Sequence, residues 1–349
     1  MEDGRWKFSL RDILVGMLAL GLCLGLFARW LHVGREESRK NLCINNLKQI
    51  GLGLHNHHDA FRKLPALTSS QLYGTSPGSV GITSPASGFS WGARIMPFLE
   101  EITLYNQLSQ NSNKFTASAF SVQPPTGTGG QPLWSVDVAL YRCPSYSGPR
   151  FATAKEYVAH SGTDATGKTF GVAVSNYVAL TATHLSCATS DPNSLNAIEP
   201  NGLIIPPTPS RTSVSIRDVV DGLSTTYMLC ESRESGYSSW YDGTAGWVVA
   251  ADPNGQEPTK DSNGFWVTTA GTSIQLGPWR RTPNIVYLPA SKLSTIQADC
   301  NWGPSSEHNS RIVNHLIGDG GVFGVDENID PTLYLQLTTR AGAEPVTPP

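Results

Sequence analysis

The chain opens on Phe8-Ser-Leu-Arg-Asp-Ile-Leu-Val-Gly-Met-Leu-Ala-Leu-Gly-Leu-Cys-Leu-Gly-Leu-Phe27, crosses a charged joint at Arg35-Glu-Glu-Ser-Arg-Lys40, and continues into Cys43-Ile-Asn-Asn-Leu-Lys-Gln-Ile-Gly-Leu-Gly-Leu-His-Asn-His-His58. Sixteen uncharged residues run from Ile13 to Ala28. A membrane span needs about 20 apolar residues. Residues 8–33 reach that length when Arg11, Asp12 and Arg29 sit at the interfaces and snorkel, and Trp6 and Trp30 lie where an aromatic belt would place them. A cleaved signal peptide would show a small-x-small site after the apolar run, but Arg29-Trp-Leu-His32 follows it, which favours a retained anchor in the lipid bilayer. Basic residues flank the segment on both sides, so charge alone does not orient it. Beyond the joint, Cys43, Leu47, Ile50, Leu54 and Phe61 recur at helical steps and form one apolar stripe, and Pro65 closes the element. A single helix from Phe8 to His58 would be about 75 Å long. That length suits a stalk rooted in a membrane.

Only 15% of residues are charged, and 34 Gly with 24 Pro point to a loop-rich α+β protein and away from a helical bundle. The formal charge of −3 gives no field that would gather nucleic acid, and no nucleic-acid partner is expected. The six cysteines form no CxxC pair, which argues against a zinc ribbon. Five lie outside the apolar segment, so an oxidising compartment would allow two disulfides and one free thiol, with the pairing open.

In the body, residues 68–88 read as a surface loop. Trp91, Ile95, Leu99, Ile102 and Tyr105 keep helical register around Pro97, which would start or kink that helix. Strands are expected over 176–182, 202–205 and 225–231, with hairpins between Trp240 and Trp279. The clearest element is the hairpin of residues 312–317 and 322–325 around Gly318-Asp-Gly-Gly321. Asp330-Pro331 predicts an N-cap with Pro at the first helical position, for a helix over 332–340 closed by Gly342 at C′.

Several clusters could carry chemistry. His55, His58 and Asp59 share a helix face, next to His57, but lack the zincin pattern, and histidines also suit a helix C-terminus. Asp252, Asn254, Asp261 and Asn263 supply oxygens for a calcium ion; Asx-turns account for the same residues without one. No other cofactor is expected. His308, Asp319 and Glu231 could be assembled into a hydrolase, but no GxSxG elbow accompanies them and no enzyme is expected. Trp240, Trp247, Trp266, Trp279 and Trp302 gather late in the chain, as core packing or as an aromatic binding surface.

A resemblance connects these pieces. The ordered blocks are Asn45-Asn-Leu-Lys-Gln-Ile-Gly-Leu-Gly-Leu-His-Asn56, Pro97-Phe-Leu-Glu100, Cys143-Pro-Ser145, Ser175-Asn-Tyr177, Ile216-Arg-Asp-Val-Val-Asp-Gly222 and the terminal Asp319-Gly320…Asn328-Ile-Asp330. Together they resemble the bacterial family of pilin-like proteins with a central domain of unknown function and a C-terminal motif of His, nine residues, then Asp-Gly. Here His308 precedes Asp319-Gly320 with one residue more than that spacing. Phe8-Ser9-Leu10-Arg11-Asp12 is similar to a pilin start, with Lys7 where the peptidase takes Gly and Asp12 in place of Glu; both departures argue against cleavage and N-methylation. The resemblance also places Cys43 and Cys143 in matched blocks. Outside the cytoplasm a bond between them would tie stalk to body, and two buried thiols would satisfy the same positions.

The expected architecture is α+β: a long N-terminal helix, half transmembrane and half soluble, packed on an antiparallel sheet, pilin-like with large loop insertions. Residues 1–34 form the tail and anchor. Residues 35–349 form an extracytoplasmic domain whose residues 35–64 continue the helix. The expected topology is single-pass in the cell membrane, similar to type II secretion pseudopilins, with the N-terminus cytoplasmic. The expected role is non-enzymatic, in envelope or surface assembly or in secretion, with homo- or hetero-assembly through the helix. The alternative is a tethered module that binds glycans or peptides.

Overall fold

The computed structural model describes residues 9–69, 88–120, 131–158, 160–163, 167–189, 198–252, 256–274, 276, 302–308 and 312–344. The period of the opening stretch becomes one helix, α1, Leu10–Phe61, of 52 residues. Its two parts differ in environment. Leu14, Leu18, Leu22 and Leu26 are exposed, and so are Ile13, Val15, Met17, Leu20, Leu24 and Phe27 between them. Cys43, Leu47, Ile50 and Leu54 are fully buried. Among the described residues, no helix is long and apolar enough to cross a membrane. The described apolar side chains from Ile13 to Phe27 cover about 22 Å of helix, short of a hydrocarbon core of about 30 Å. Phe8 and the side chains of Asp12 and residues 28–33 lie outside the description.

The remaining elements, in order, are α2 (Trp91–Ile95), α3 (Ile102–Asn111), α4 (Lys155–Val158), β1 (Gly162–Thr163), β2 (Thr169–Phe170), β3 (Tyr177–Ala182), α5 (Leu185–Thr189), β4 (Tyr227–Glu231), β5 (Trp247–Val249), β6 (Thr259–Lys260), β7 (Trp266–Val267), β8 (Ile312–Ile317), β9 (Val322–Asp326) and α6 (Pro331–Gln336). This is an α+β chain with antiparallel sheets. The central sheet runs β5-β3-β4-β8-β9. Its β3–β4, β4–β8 and β8–β9 pairs are antiparallel, while β5 joins β3 in parallel, a crossover that no alternation of side chains announces. Pairs β1–β2 and β6–β7 form separate two-stranded ribbons.

Several expectations shift in detail. The helix expected around Pro97 breaks into α2, a 3-10 turn over Met96–Leu99 and α3, because Pro97 has no N–H for a continuing helix and Glu100 takes φ 64°. Residues 202–205 are buried but form no strand; the Gly202 N–H reaches the Thr181 carbonyl at 2.9 Å and the Ile205 carbonyl accepts from Leu67 N–H at 2.9 Å. Asp330 caps α6 through Leu333 N–H at 2.8 Å, with Pro331 at the start, but the helix ends at Gln336. Gly342 therefore lies beyond its end and donates to Asp221 Oδ2 at 2.7 Å.

The core lies where α1, the sheet and the α2–α3 region meet. A Cβ on Gly51 would stand 2.9 Å from Leu316 Cδ1 of β8. One on Gly53 would stand 2.5 Å from Leu99 Cδ2. Glycine at both places lets the helix backbone approach its neighbours closely.

Candidate functional site

Where the charged joint meets the sheet, four distant segments converge. Glu36 and Cys43 are seven residues apart on α1 and so share a face. Cys143 follows the 3-10 turn Ala139–Tyr141 and starts a turn closed by Tyr146 N–H onto its carbonyl at 3.0 Å. Glu231 is the last residue of β4, and His308 precedes β8 in the chain.

The polar groups that hold these residues are specific. Asn176 Oδ1 accepts from Cys143 N–H at 3.1 Å, while its amide donates to the Ser232 carbonyl at 3.1 Å. The Tyr177 hydroxyl donates to the Cys43 carbonyl at 3.3 Å, and Asn46 Nδ2 donates to the Arg142 carbonyl at 3.0 Å. Cys43 and Cys143 are joined by a disulfide with Cα atoms 5.2 Å apart.

His308 lies between two carboxylates. Its Nε2 is 3.2 Å from Glu231 Oε1 and its Nδ1 is 3.3 Å from Glu36 Oε1. Glu231 Oε2 accepts from Asn314 N–H at 3.0 Å. Glu36 Oε1 accepts from Ser145 Oγ at 2.9 Å, and its Oε2 pairs with Arg39 at 2.6 Å. Burial alone would draw the His308 pKa down, but the hydrogen bonds and charges of Glu231 and Glu36 outweigh it and hold the pKa above the usual value. Burial pushes the Glu36 pKa up, and the hydrogen bonds from Arg39, Ser145 and His308 outweigh that and keep it low. The result is a histidine held between sheet and helix, beside a disulfide whose Cys143 Sγ is 3.8 Å from Glu231 Oε1.

The other candidate residues fall elsewhere. Asp319-Gly320 forms the β8–β9 turn, with Gly320 at φ 93° and Asp319 Oδ1 accepting from Gly321 N–H at 2.8 Å. Asp319 N–H donates to the Leu223 carbonyl at 3.1 Å at the turn end of β8, whereas His308 meets Glu231, which accepts from Asn314 N–H within the strand, so the two parts of the motif serve different places. Of the paper hydrolase, Glu231 and His308 meet and Asp319 does not join them; both ring nitrogens of His308 face carboxylates. Asp261 Oδ1 accepts from Asn263 N–H at 2.8 Å and Phe265 N–H at 2.9 Å, the Asx-turn that joins β6 to β7. Asp252 N–H pairs with the Ser273 carbonyl at 2.7 Å, and Asn254 lies outside the described residues.

The histidines of α1 also separate. His57 Nδ1 meets the Lys63 carbonyl at 3.0 Å and burial draws its pKa down to about 4, while His58 Nε2 accepts from Ile216 N–H at 3.3 Å. Trp240, Trp247 and Trp302 are buried, with Trp302 Nε1 donating to the Trp247 carbonyl at 3.0 Å, and Trp266 is nearly so. These four lie in the core, and Trp279 lies outside the described residues.

Sequence reasoning named Cys43, Cys143, Glu231 and His308 in separate contexts and missed Glu36. The seven-residue step from Glu36 to Cys43 was the available signal. No curated protein and no solved structure matches the chain. A family description, however, covers the stalk, the sheet and every residue of this joint, matching residues 33–332: the chain belongs to the DUF1559 family of proteins of unknown function.

Proposed function

We propose that this is a membrane-anchored, extracytoplasmic pilin- or pseudopilin-like protein that acts without catalysis, in envelope or surface assembly or in secretion. The observation that carries the reading is the division of α1. One continuous helix exposes large apolar side chains all round from Ile13 to Phe27 and buries a narrow stripe from Cys43 to Leu54. A helix apolar on every side needs lipid or other helices around it, whereas a stripe needs only one partner face. The first half is thus the anchor and the surface for homo- or hetero-assembly, and the second half is the stalk of a domain over residues 35–349. The association of the DUF1559 family with pilin-like and type II secretion proteins supports the same reading. On it the N-terminus is cytoplasmic and the disulfide lies in an oxidising compartment.

The test is fractionation of the native host with protease protection. The full-length chain is expected in the membrane, resistant to alkaline carbonate, with the domain degraded by protease added outside the cytoplasmic membrane. Recovery of the full-length chain from the soluble cytoplasmic fraction overturns the proposal.

A further inference from the structure

The joint contains more metal-ligating chemistry than a disulfide needs. One ligand atom each from Cys43, Cys143, Glu231 and His308 lies within 4.8 Å of all the others, and all four residues are buried. We propose that, once the disulfide is reduced, these four side chains form a tetrahedral site for a zinc-class divalent cation.

The geometry fits such an ion. Zinc holds thiolate sulfur at about 2.3 Å and imidazole nitrogen or carboxylate oxygen at about 2.0–2.2 Å. The edges of that tetrahedron are therefore about 3.3 Å for nitrogen to oxygen and about 3.5 Å for sulfur to either. Here His308 Nε2 is 3.2 Å from Glu231 Oε1, and Cys143 Sγ is 3.8 Å from that oxygen and 4.0 Å from that nitrogen. The two sulfurs complete the set when they part. Non-bonded sulfurs cannot stay at a covalent separation of about 2.0 Å, and a zinc tetrahedron holds its sulfurs about 3.8 Å apart.

The surroundings of the four ligands also suit a metal ion. A zinc-bound histidine normally gives its other ring nitrogen to a carboxylate, which fixes the ring. His308 Nδ1 meets Glu36 Oε1 at 3.3 Å. A liganding carboxylate is in turn hydrogen-bonded, and Glu231 Oε2 accepts from Asn314 N–H at 3.0 Å. Glu36, Ser145 and Asn314 thus already form an outer shell for an ion whose two sulfur ligands are now joined in a disulfide.

The chemistry balances. A dithiol reductant supplies two electrons and two protons; the Cys43–Cys143 bond breaks, each sulfur takes a proton, and the reductant's two sulfurs form their own disulfide. Zinc then displaces the two thiol protons, and any proton on His308 Nε2, to solvent. The joint is closed in both states, by a covalent bond when oxidised and by the cation when reduced.

The experiment uses the full chain in detergent, reduced with dithiothreitol, freed of it without air, and titrated with Zn²⁺ against a chromophoric chelator. One Zn²⁺ per reduced chain is expected, and none for the oxidised chain. Co²⁺ should give thiolate-to-metal charge-transfer absorption on the reduced chain alone. His308→Ala should weaken Zn²⁺ binding at least tenfold, and Glu36→Gln, which leaves all four ligands, about tenfold to a hundredfold. Cys187→Ser, a buried thiol outside the cluster, should bind like wild type. Helical circular dichroism should survive reduction. The proposal is overturned by less than stoichiometric Zn²⁺, by equal binding to the oxidised chain, by loss of binding in Cys187→Ser, by unchanged affinity in both His308→Ala and Glu36→Gln, or by helix lost on reduction and not restored by Zn²⁺.

Discussion

His308 Nε2 stands 3.2 Å from Glu231 Oε1, with both side chains almost wholly withdrawn from solvent. This pair ties the end of β4 to the segment before β8. Breaking a buried pair costs about 3–5 kcal/mol, and removing Glu231 leaves His308 only the less buried Glu36 as a carboxylate partner. Glu231→Ala should therefore destabilise the oxidised chain by about that amount in denaturant unfolding. Glu36→Ala should cost only about 1 kcal/mol, because Glu36 keeps 15% of its side chain in solvent. Equal losses would mean that His308 does not depend on its buried partner.

The histidines give the pH dependence two signs. His308 has a raised pKa, so its contribution is full below the unfolded value near 6.5 and is lost as pH rises through the higher folded value. Burial lowers the pKa of His57 and of His315 to about 4 each, so their contributions are present above 6.5 and are lost as pH falls toward 4. Buried Asp242, raised to about 6, opposes them between 3.8 and that value. Burial also lowers the pKa of His160 and His184 and raises that of Glu344, so the lowered histidines outnumber the raised carboxylates and stability rises with pH between 4 and 6. His57→Gln should reduce that slope by about 1.4 kcal/mol per pH unit, measured by unfolding from pH 4 to 6.

Gly51 and Gly34 lie on one helix and should respond oppositely to alanine. A Cβ at Gly34 meets nothing within 4 Å, so Gly34→Ala should gain up to about 1 kcal/mol of helix propensity. At Gly51 it would press on Leu316, which is fully buried, and overpacking of about 1–3 kcal/mol should exceed the gain. Thermal unfolding followed by circular dichroism separates the two; a stabilised Gly51→Ala chain would mean that α1 can move away from β8.

The Cys43–Cys143 bond closes a separation of 100 residues. Loop-closure entropy for such a loop is about 4.7 kcal/mol, and measured bonds usually give about 2–4 kcal/mol. The Cys43→Ser, Cys143→Ser chain should lose stability in that range in metal-free buffer, while wild type under the same conditions should resist glutathione. A loss under 1 kcal/mol would show that the hydrogen bonds around Asn176 and Tyr177 suffice to hold the joint.

Periodicity and local chemistry were enough for the elements whose reasons are local. The stripe at Cys43, Leu47, Ile50 and Leu54 gives the buried part of α1, the Gly-rich turn gives the β8–β9 hairpin, and Asp330-Pro331 gives the start of α6. Each depends on residues within one or two turns of one another. The parallel pairing of β3 with β5, the burial of the late tryptophans and the meeting of Glu36, Cys43, Cys143, Glu231 and His308 depend on the register between strands and on how closely Gly51 and Gly53 let the helix approach. Those choices are made by packing across distant parts of the chain. Local pattern thus suffices for a long two-part helix and a hairpin-closed α+β body, whereas the convergence of the Cys43–Cys143 disulfide, Glu36, Glu231 and His308 follows from long-range packing.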